Sequence, residues 1–306
     1  MAYTKEEFKQ LVDDIQSQSW YKNPIGFGIA KVDRGQINKD KILQATFPLI
    51  NWNENFGSAA VLLNALKVAG VDVDTSKSEL VCKISDEFLT SCIEAFRPFI
   101  PEAKGDAHKN VQVISTLASL PIDSGLSADD YRVVFIFEDV TPESTEAVYL
   151  KLYALSTGKA ALRSLNLTGA FGKLHNCAWV GNQPIELDWL RANEIVLKLS
   201  GKYPNIDMVD KFPRFLQHII PADNTRILET SKVRMGAQLA AGTTVMPGAA
   251  YINFNAGTLG SVMVEGRISS SAGVGAGSDV GGGASILGVL SGTDGVPVTI
   301  GENTLL

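Results

Sequence analysis

Apolar positions along this chain fall into two regimes. Up to about residue 224 they recur at helical spacing or in short β-branched runs, whereas from Thr225 onward they recur at a short fixed period. In the first regime, TKEEFKQLVDDIQSQ carries Thr4 and Glu7 in capping-box positions and sets Phe8, Leu11, Val12 and Ile15 on one face, which predicts a surface helix. PIGFGIAKV from Pro24 predicts a strand, GSAAVLLNALKVAG a helix closing at Gly70, and SDEFLTSCIEAF from Ser85 another helix. RVVFIFE from Arg132 predicts a buried strand. TPESTEAVYLKLYALSTG predicts a helix capped by Thr141 with Pro142 in its first turn, and ELDWLRANEIVLKLSG from Glu186 an amphipathic helix. KYPNIDMVDKFPRFLQHIIPADN reads as a short helix and linker.

In the second regime Ile227, Val233, Leu239, Val245 and Tyr251 are six apart. After a one-residue slip the register resumes at Val262, Ile268, Val274, Val280 and Ile286, then at Ile300 and Leu306 beyond an insertion. The residue four places after these is small nearly everywhere: Ser231, Ala237, Thr243, Ala249, Gly266, Ala272, Ser278 and Ala284. Two coupled positions on one period are the hexapeptide signature of a parallel β-helix, in which the aliphatic fills a triangular coil and the small residue fits a corner. The expected fold is therefore an α/β N-terminal region followed by a left-handed parallel β-helix of hexapeptide repeats. The expected domains are 1–110, a second α/β region with linker over 111–224, and the β-helix over 225–306. Leu306 falls at an interior position, so the capping segment such a coil needs is expected to be missing from this chain.

The stretch VGAGSDVGGGASILGVLSG, from Val274 to Gly292, superficially suggests a phosphate loop, but no amphipathic helix follows its glycines. Gly236, Gly242, Gly248, Gly275 and Gly281 instead fall at coil corners, where a positive φ is expected.

Composition narrows the chemistry. With 306 residues, 45% of them hydrophobic, the chain is long enough for more than one core. A net charge of -6 argues against nucleic-acid or acidic-membrane partners, and neither a membrane span nor a signal peptide is legible, which predicts a cytoplasmic protein. Cys82, Cys92 and Cys177 have neither disulfide-framework nor metal spacing. The histidines, His108, His175 and His218, all precede the repeats, so a His₃ zinc site or a histidine base within the coil is excluded. Charged residues are sparse in the repeats, and SVMVEGRISS from Ser261 stands out. Glu265, desolvated at a corner among apolar neighbours, is a candidate general base or nucleophile; the alternative is a surface ion pair with Arg267.

The blocks VRMGAQLAAGTTVMPG from Val233, NFNAGTLGSVMVEGRIS from Asn253 and GSDVGGGASILGVLSG from Gly277 resemble the longer-type tetrahydrodipicolinate N-succinyltransferases of bacterial lysine biosynthesis. LNLTGAFGKLHNCAW from Leu165 and DKFPRFLQHIIP from Asp210 resemble the segments before that family's coil. The resemblance implies a cytoplasmic homotrimer that passes a succinyl group from succinyl-CoA, as co-substrate rather than resident cofactor, to tetrahydrodipicolinate. It implies Glu265 as the catalytic carboxylate, through an acyl-anhydride or as a general base, and Arg267, Gly282 and Ser285 as acyl-CoA contacts. Some relatives hold magnesium on the trimer axis through two carboxylates; the matching places here read Ser231 and Pro247-Gly248-Ala249, so no such metal site is expected. The alternatives are another CoA-dependent N-acyltransferase of the hexapeptide class and a non-catalytic β-helix scaffold.

Overall fold

The computed structural model describes residues 4–120, 128–289 and 295–306. The chain forms two compact units, Met1–Arg34 with Gln44–Leu150, and Gly35–Leu43 with Lys151–Leu306.

The first unit is an antiparallel sheet backed by helices. Its central strands are β1 (Gly26–Arg34) and β5 (Tyr131–Ile136); β2 (Ile42–Thr46) and β3 (Ile50–Trp52) lie beyond β1, and β4 (Glu79–Lys83) beyond β5. Phe27 and Phe135 are partners in the β1–β5 ladder, and their rings stack at 5.9 Å. On this sheet pack α1 (Lys5–Gln16), α2 (Phe56–Val68), α3 (Asp86–Phe96) and α4 (Lys109–Ser119), whose inward residues share one core with Phe27 and Phe135. The Thr4–Glu7 capping box forms at the start of α1. The division expected near Val111 falls inside α4, whose Val111 and Ile114 belong to this core. Strand β5 is the reason: it pairs with both β1 and β4, so chain well past residue 110 completes the first sheet.

Helix α5 (Thr145–Ser156) starts later than expected; Ser144 Oγ, not Thr141, accepts from Ala147 N–H at 3.0 Å. The second unit continues with α6 (Ala170–Lys173), a sheet of β6 (Cys177–Val180), β7 (Gln183–Glu186) and β8 (Met208–Asp210), and the helices α7 (Leu187–Leu199) and α8 (Phe215–His218). This sheet anchors the entry to the coil. The indole of Trp179 donates to Asp210 O at 2.9 Å, while the Asp210 carboxylate accepts from Arg214 Nη1 at 2.8 Å and from Arg234 Nε at 3.0 Å. Asp210 and Arg214 lie in DKFPRFLQHIIP and Arg234 in VRMG, so two of the blocks noted above meet at one ion-pair cluster.

From Arg226 the chain winds into a parallel β-solenoid with three sheet faces. The first face stacks β9 (Arg226–Ile227), β10 (Thr244–Val245), β13 (Met263–Val264) and β16 (Asp279–Val280). The second stacks β11 (Tyr251–Ile252), β14 (Arg267–Ile268) and β17 (Ser285–Ile286). The third stacks β12 (Gly257–Thr258), β15 (Gly273–Val274) and β18 (Thr299–Ile300). Interior side chains pile up in register: Ile227, Val245, Val264 and Val280 on one face, and Ile252, Ile268 and Ile286 on the next. Such a stack gives each coil a dry seam that its neighbours complete.

The strict period of six does not hold at two places. Ile252, not Tyr251, is the interior residue; Tyr251 faces out beside Arg267. Val264, not Val262, pairs with Val245 and Val280, although Val262 is also buried. The corners absorb the mismatch, since Val245 to Ile252 is seven residues and Val264 to Ile268 only four. Leu306 does stand in register below Val280.

The corner glycines divide into two kinds. Gly236, Gly242 and Gly248 have φ of 89°, 81° and 83°, as expected. Gly275 and Gly281 do not adopt positive φ. They are required by close approach of the next coil: a Cβ on Gly275 would stand 2.7 Å from Glu302 N, and one on Gly281 2.8 Å from Leu306 O.

Candidate functional site

The four residues singled out from the sequence lie on neighbouring coils at one edge of the solenoid. The edge is built by a short corner. Between β13 and β14 the chain turns with only two residues, Glu265 and Gly266, whereas the corner on one neighbouring coil, Met246–Ala250, has five and that on the other, Gly281–Ala284, has four. Glu265 therefore stands at a recess flanked by two longer turns, with Pro247, Gly248 and Ala249 exposed on one side and Gly282 and Gly283 on the other. The N–H groups of Glu265 and Gly266 both donate to Val280 O, at 2.8 and 2.9 Å, which pins the corner to the coil that carries Gly282. A Cβ on Gly266 would lie 2.5 Å from both Ala284 O and Gly281 O, so this turn demands glycine after Glu265.

Two cross-coil neighbours result. A Cβ built on Gly282 would lie 3.9 Å from Glu265 Oε2, so the absence of a side chain at Gly282 leaves the carboxylate face open. Arg267 and Ser285 are partners in the β14–β17 ladder, and Arg267 N–H donates to Ala284 O at 3.0 Å. Tyr251 flanks Arg267 on the other side in the β11–β14 ladder. Sequence reading missed Tyr251 because a strict period of six assigns it to the interior.

Glu265, Arg267, Gly282 and Ser285 are all exposed, so within this chain apolar burial does not act on the Glu265 carboxylate. Glu265 and Arg267 form no ion pair with each other among the described residues. The site thus presents an open carboxylate and, two residues on, a guanidinium whose five donors suit a planar oxyanion. A hydroxyl and an open glycine face lie on the adjacent coil. That set can hold an anionic ligand beside a base or nucleophile.

The histidines stay out of this chemistry. His218 is half-buried with its Nδ1 2.8 Å from Tyr153 Oη, and burial pushes its pKa down to about 3. Burial pushes the Cys177 thiol up to about 11 and raises Cys92 as well, so both are inert structural thiols. At the places where some relatives were expected to hold a metal, Ser231 and the turn Pro247–Ala249 supply no carboxylate.

Comparison with known proteins then decides the family. Residues 6–172 match the family described as tetrahydrodipicolinate N-succinyltransferase N-terminal, and residues 174–214 match its middle region. This chain belongs to the tetrahydrodipicolinate N-succinyltransferase family. Among its relatives, the 2,3,4,5-tetrahydropyridine-2,6-dicarboxylate N-succinyltransferase of Sulfurovum sp. is 69% identical over 301 residues, 98% of this chain and 75% of the relative. That of Nitratiruptor sp. is 67% identical over 306 residues, 100% of this chain and 77% of the relative. A crystal structure of a 2,3,4,5-tetrahydropyridine-2-carboxylate N-succinyltransferase from Campylobacter jejuni superposes with a TM-score of 0.94 at 57% identity, covering 100% of this chain and 78% of that one. Both the helical and sheet region and the solenoid are thus family features.

Proposed function

We propose that this chain is an acyltransferase that moves a succinyl group from succinyl-CoA to the nitrogen of tetrahydrodipicolinate. One water is consumed as the ring opens, and N-succinyl-2-amino-6-oxopimelate and free CoA are released. The observation that carries the reading is the recess at Glu265, flanked in register by Arg267, Ser285 and Gly282, in a member of this family. Glu265 acts either by taking the proton from the attacking nitrogen or by forming an acyl-anhydride that the nitrogen then opens. Arg267 pairs with the free carboxylate of the succinyl group, the feature that separates succinyl from acetyl donors. Ser285 and the bare Gly282 line the thioester side.

Among the described residues the site lies exposed on an outer edge of the solenoid, with no second wall. A CoA arm lying between neighbouring coils supplies the reason for a closed homotrimer, in which the partner's solenoid face completes the recess. No helix among the described residues is long and apolar enough to cross a membrane, and a cytoplasmic enzyme without nucleic-acid partners fits the acidic net charge of -6.

The deciding experiment is thiol release from succinyl-CoA and from acetyl-CoA, each with and without tetrahydrodipicolinate. Release that needs the acceptor and strongly favours succinyl-CoA supports the proposal. Equal use of acetyl-CoA points to a different acyltransferase of the hexapeptide class, and no release from either donor to a non-catalytic coil.

A further inference from the structure

The outer side of the second solenoid face gathers cations around an unpartnered hydroxyl. The segment after β8 joins this face as an extra rung: Arg214 pairs with Arg234 in an antiparallel bridge, Val233 pairs with Ile252, and Tyr251 pairs with Arg267. Because Val233, Ile252 and Ile268 are buried in the coil, Arg214, Arg234, Tyr251 and Arg267 share the outer side on successive rungs about 4.8 Å apart. The Asp210 carboxylate serves both upper guanidiniums, taking Arg214 Nη1 at 2.8 Å and Arg234 Nε at 3.0 Å, and it also accepts from Lys211 N–H at 2.7 Å. Arg214 Nε is left buried with no acceptor. Tyr251 stands half-buried on the next rung, and its hydroxyl makes no hydrogen bond among the described residues. Burial raises its pKa, and the charges that act on it are the guanidiniums of Arg234 and Arg214 and the carboxylate of Asp210, two positive against one negative.

We propose that Tyr251 holds one carboxylate of the acceptor, its hydroxyl donating to a carboxylate oxygen while the surplus positive charge of the Arg214–Arg234 pair draws the anion in; this rests on the succinyltransferase reading above. The acceptor's own chemistry selects it as the occupant. Its ring nitrogen lies between the two carbons that carry its carboxylates, so a nitrogen presented to Glu265 brings a carboxylate with it. Arg267 is taken by the succinyl carboxylate, which leaves Tyr251, one rung away, as the next donor on this face. A hydrogen bond to a charged acceptor is the strong kind, and partial burial strengthens it further. Asp210 does not cancel the attraction, because one carboxylate stands against two guanidiniums.

Tyr251→Phe tests the site, because it removes the hydroxyl and keeps the ring. Dipicolinate, a stable aromatic 2,6-dicarboxylate, serves as the probe in titration calorimetry. Its affinity for Tyr251→Phe is expected to be about tenfold lower than for the wild type, the cost of one hydrogen bond to a charged group. In turnover, KM for tetrahydrodipicolinate should rise by a similar factor while KM for succinyl-CoA stays as in the wild type. No binding of dipicolinate by the wild type, or equal affinities for wild type and variant, overturns the proposal. Equal affinities together with a smaller assembly for the variant in light scattering overturn it in favour of a carboxylate from a second copy. The two readings fail separately. Dipicolinate binding that depends on Tyr251, without thiol release from succinyl-CoA, sinks the activity and keeps the dicarboxylate site; normal thiol release with an unchanged acceptor KM in the variant sinks the site alone.

Discussion

Arg267 and Ser285 occupy the same rung of the solenoid, one coil apart, and two residues before Arg267 the carboxylate of Glu265 lies against the bare face of Gly282. The ladder therefore sets the spacing between a guanidinium, a hydroxyl and a carboxylate without using a flexible loop. Backbone hydrogen bonds hold both rungs, so each side chain can be changed with little cost to the fold.

Glu265→Gln preserves size and hydrogen-bonding capacity and removes basicity and nucleophilicity. Turnover is expected to fall by at least about 10²-fold, the usual cost of losing a general base, with melting temperature and succinyl-CoA affinity almost unchanged. Mass spectrometry of enzyme quenched with succinyl-CoA and hydroxylamine in the absence of acceptor separates the two roles: a modified Glu265 means an anhydride, an unmodified one a base.

Arg267→Lys keeps the charge but loses the paired donors. The apparent KM for succinyl-CoA should rise about tenfold or more, while the slow reaction with acetyl-CoA, which has no free carboxylate, should barely change. A parallel loss with both donors would show that Arg267 does not read the acyl carboxylate.

Glycine substitutions separate fold from site. Gly275→Ala puts a Cβ 2.7 Å from backbone atoms of Gly301 and Glu302 and should destabilise by about 1–3 kcal/mol. At Gly282 the nearest atom to a Cβ is Glu265 Oε2 at 3.9 Å, so Gly282→Ala should melt like the wild type, whereas Gly282→Val should keep the fold and lose activity by crowding the carboxylate. Urea melts together with kcat/KM on all three variants test this split.

His218 predicts a pH dependence of stability. Its folded pKa of about 3 lies below the ordinary value of 6.5, so the unfolded chain binds the extra proton first as pH falls. The resulting loss of stability sets in below about pH 6.5 and grows down towards pH 3, with a slope of up to about 1.4 kcal/mol per pH unit. Urea melts at pH 7, 5.5 and 4.5 on the wild type and His218→Asn should converge as pH falls; parallel curves would refute the assignment.

Much of this protein is legible locally. The Thr4–Glu7 capping box, the helix after Ser85, the helix-closing Gly70 and the buried runs of β1 and β5 depend on residues within a few positions of one another, and they form where the pattern puts them. The repeat is legible for the same reason, since each coil repeats one local solution. Strand β4 and helix α4 were not, because they earn their place only by pairing and packing with strand β5, far along the chain.

Sequence alone determined that a hexapeptide coil exists, that it contains no histidine, and that Glu265 and Arg267 are its conspicuous charges. Tertiary structure decided which residues meet. Register in a solenoid is fixed across coils by backbone hydrogen bonds, while corners of two, four and five residues absorb the differences along the chain. A period counted along the sequence therefore misplaces Tyr251 and Val262, and it cannot show that Glu265 lies against Gly282 or Arg267 beside Ser285. The same rungs explain Gly275 and Gly281: their missing Cβ makes room for the next coil, a requirement set by a neighbour in space and not by their own φ.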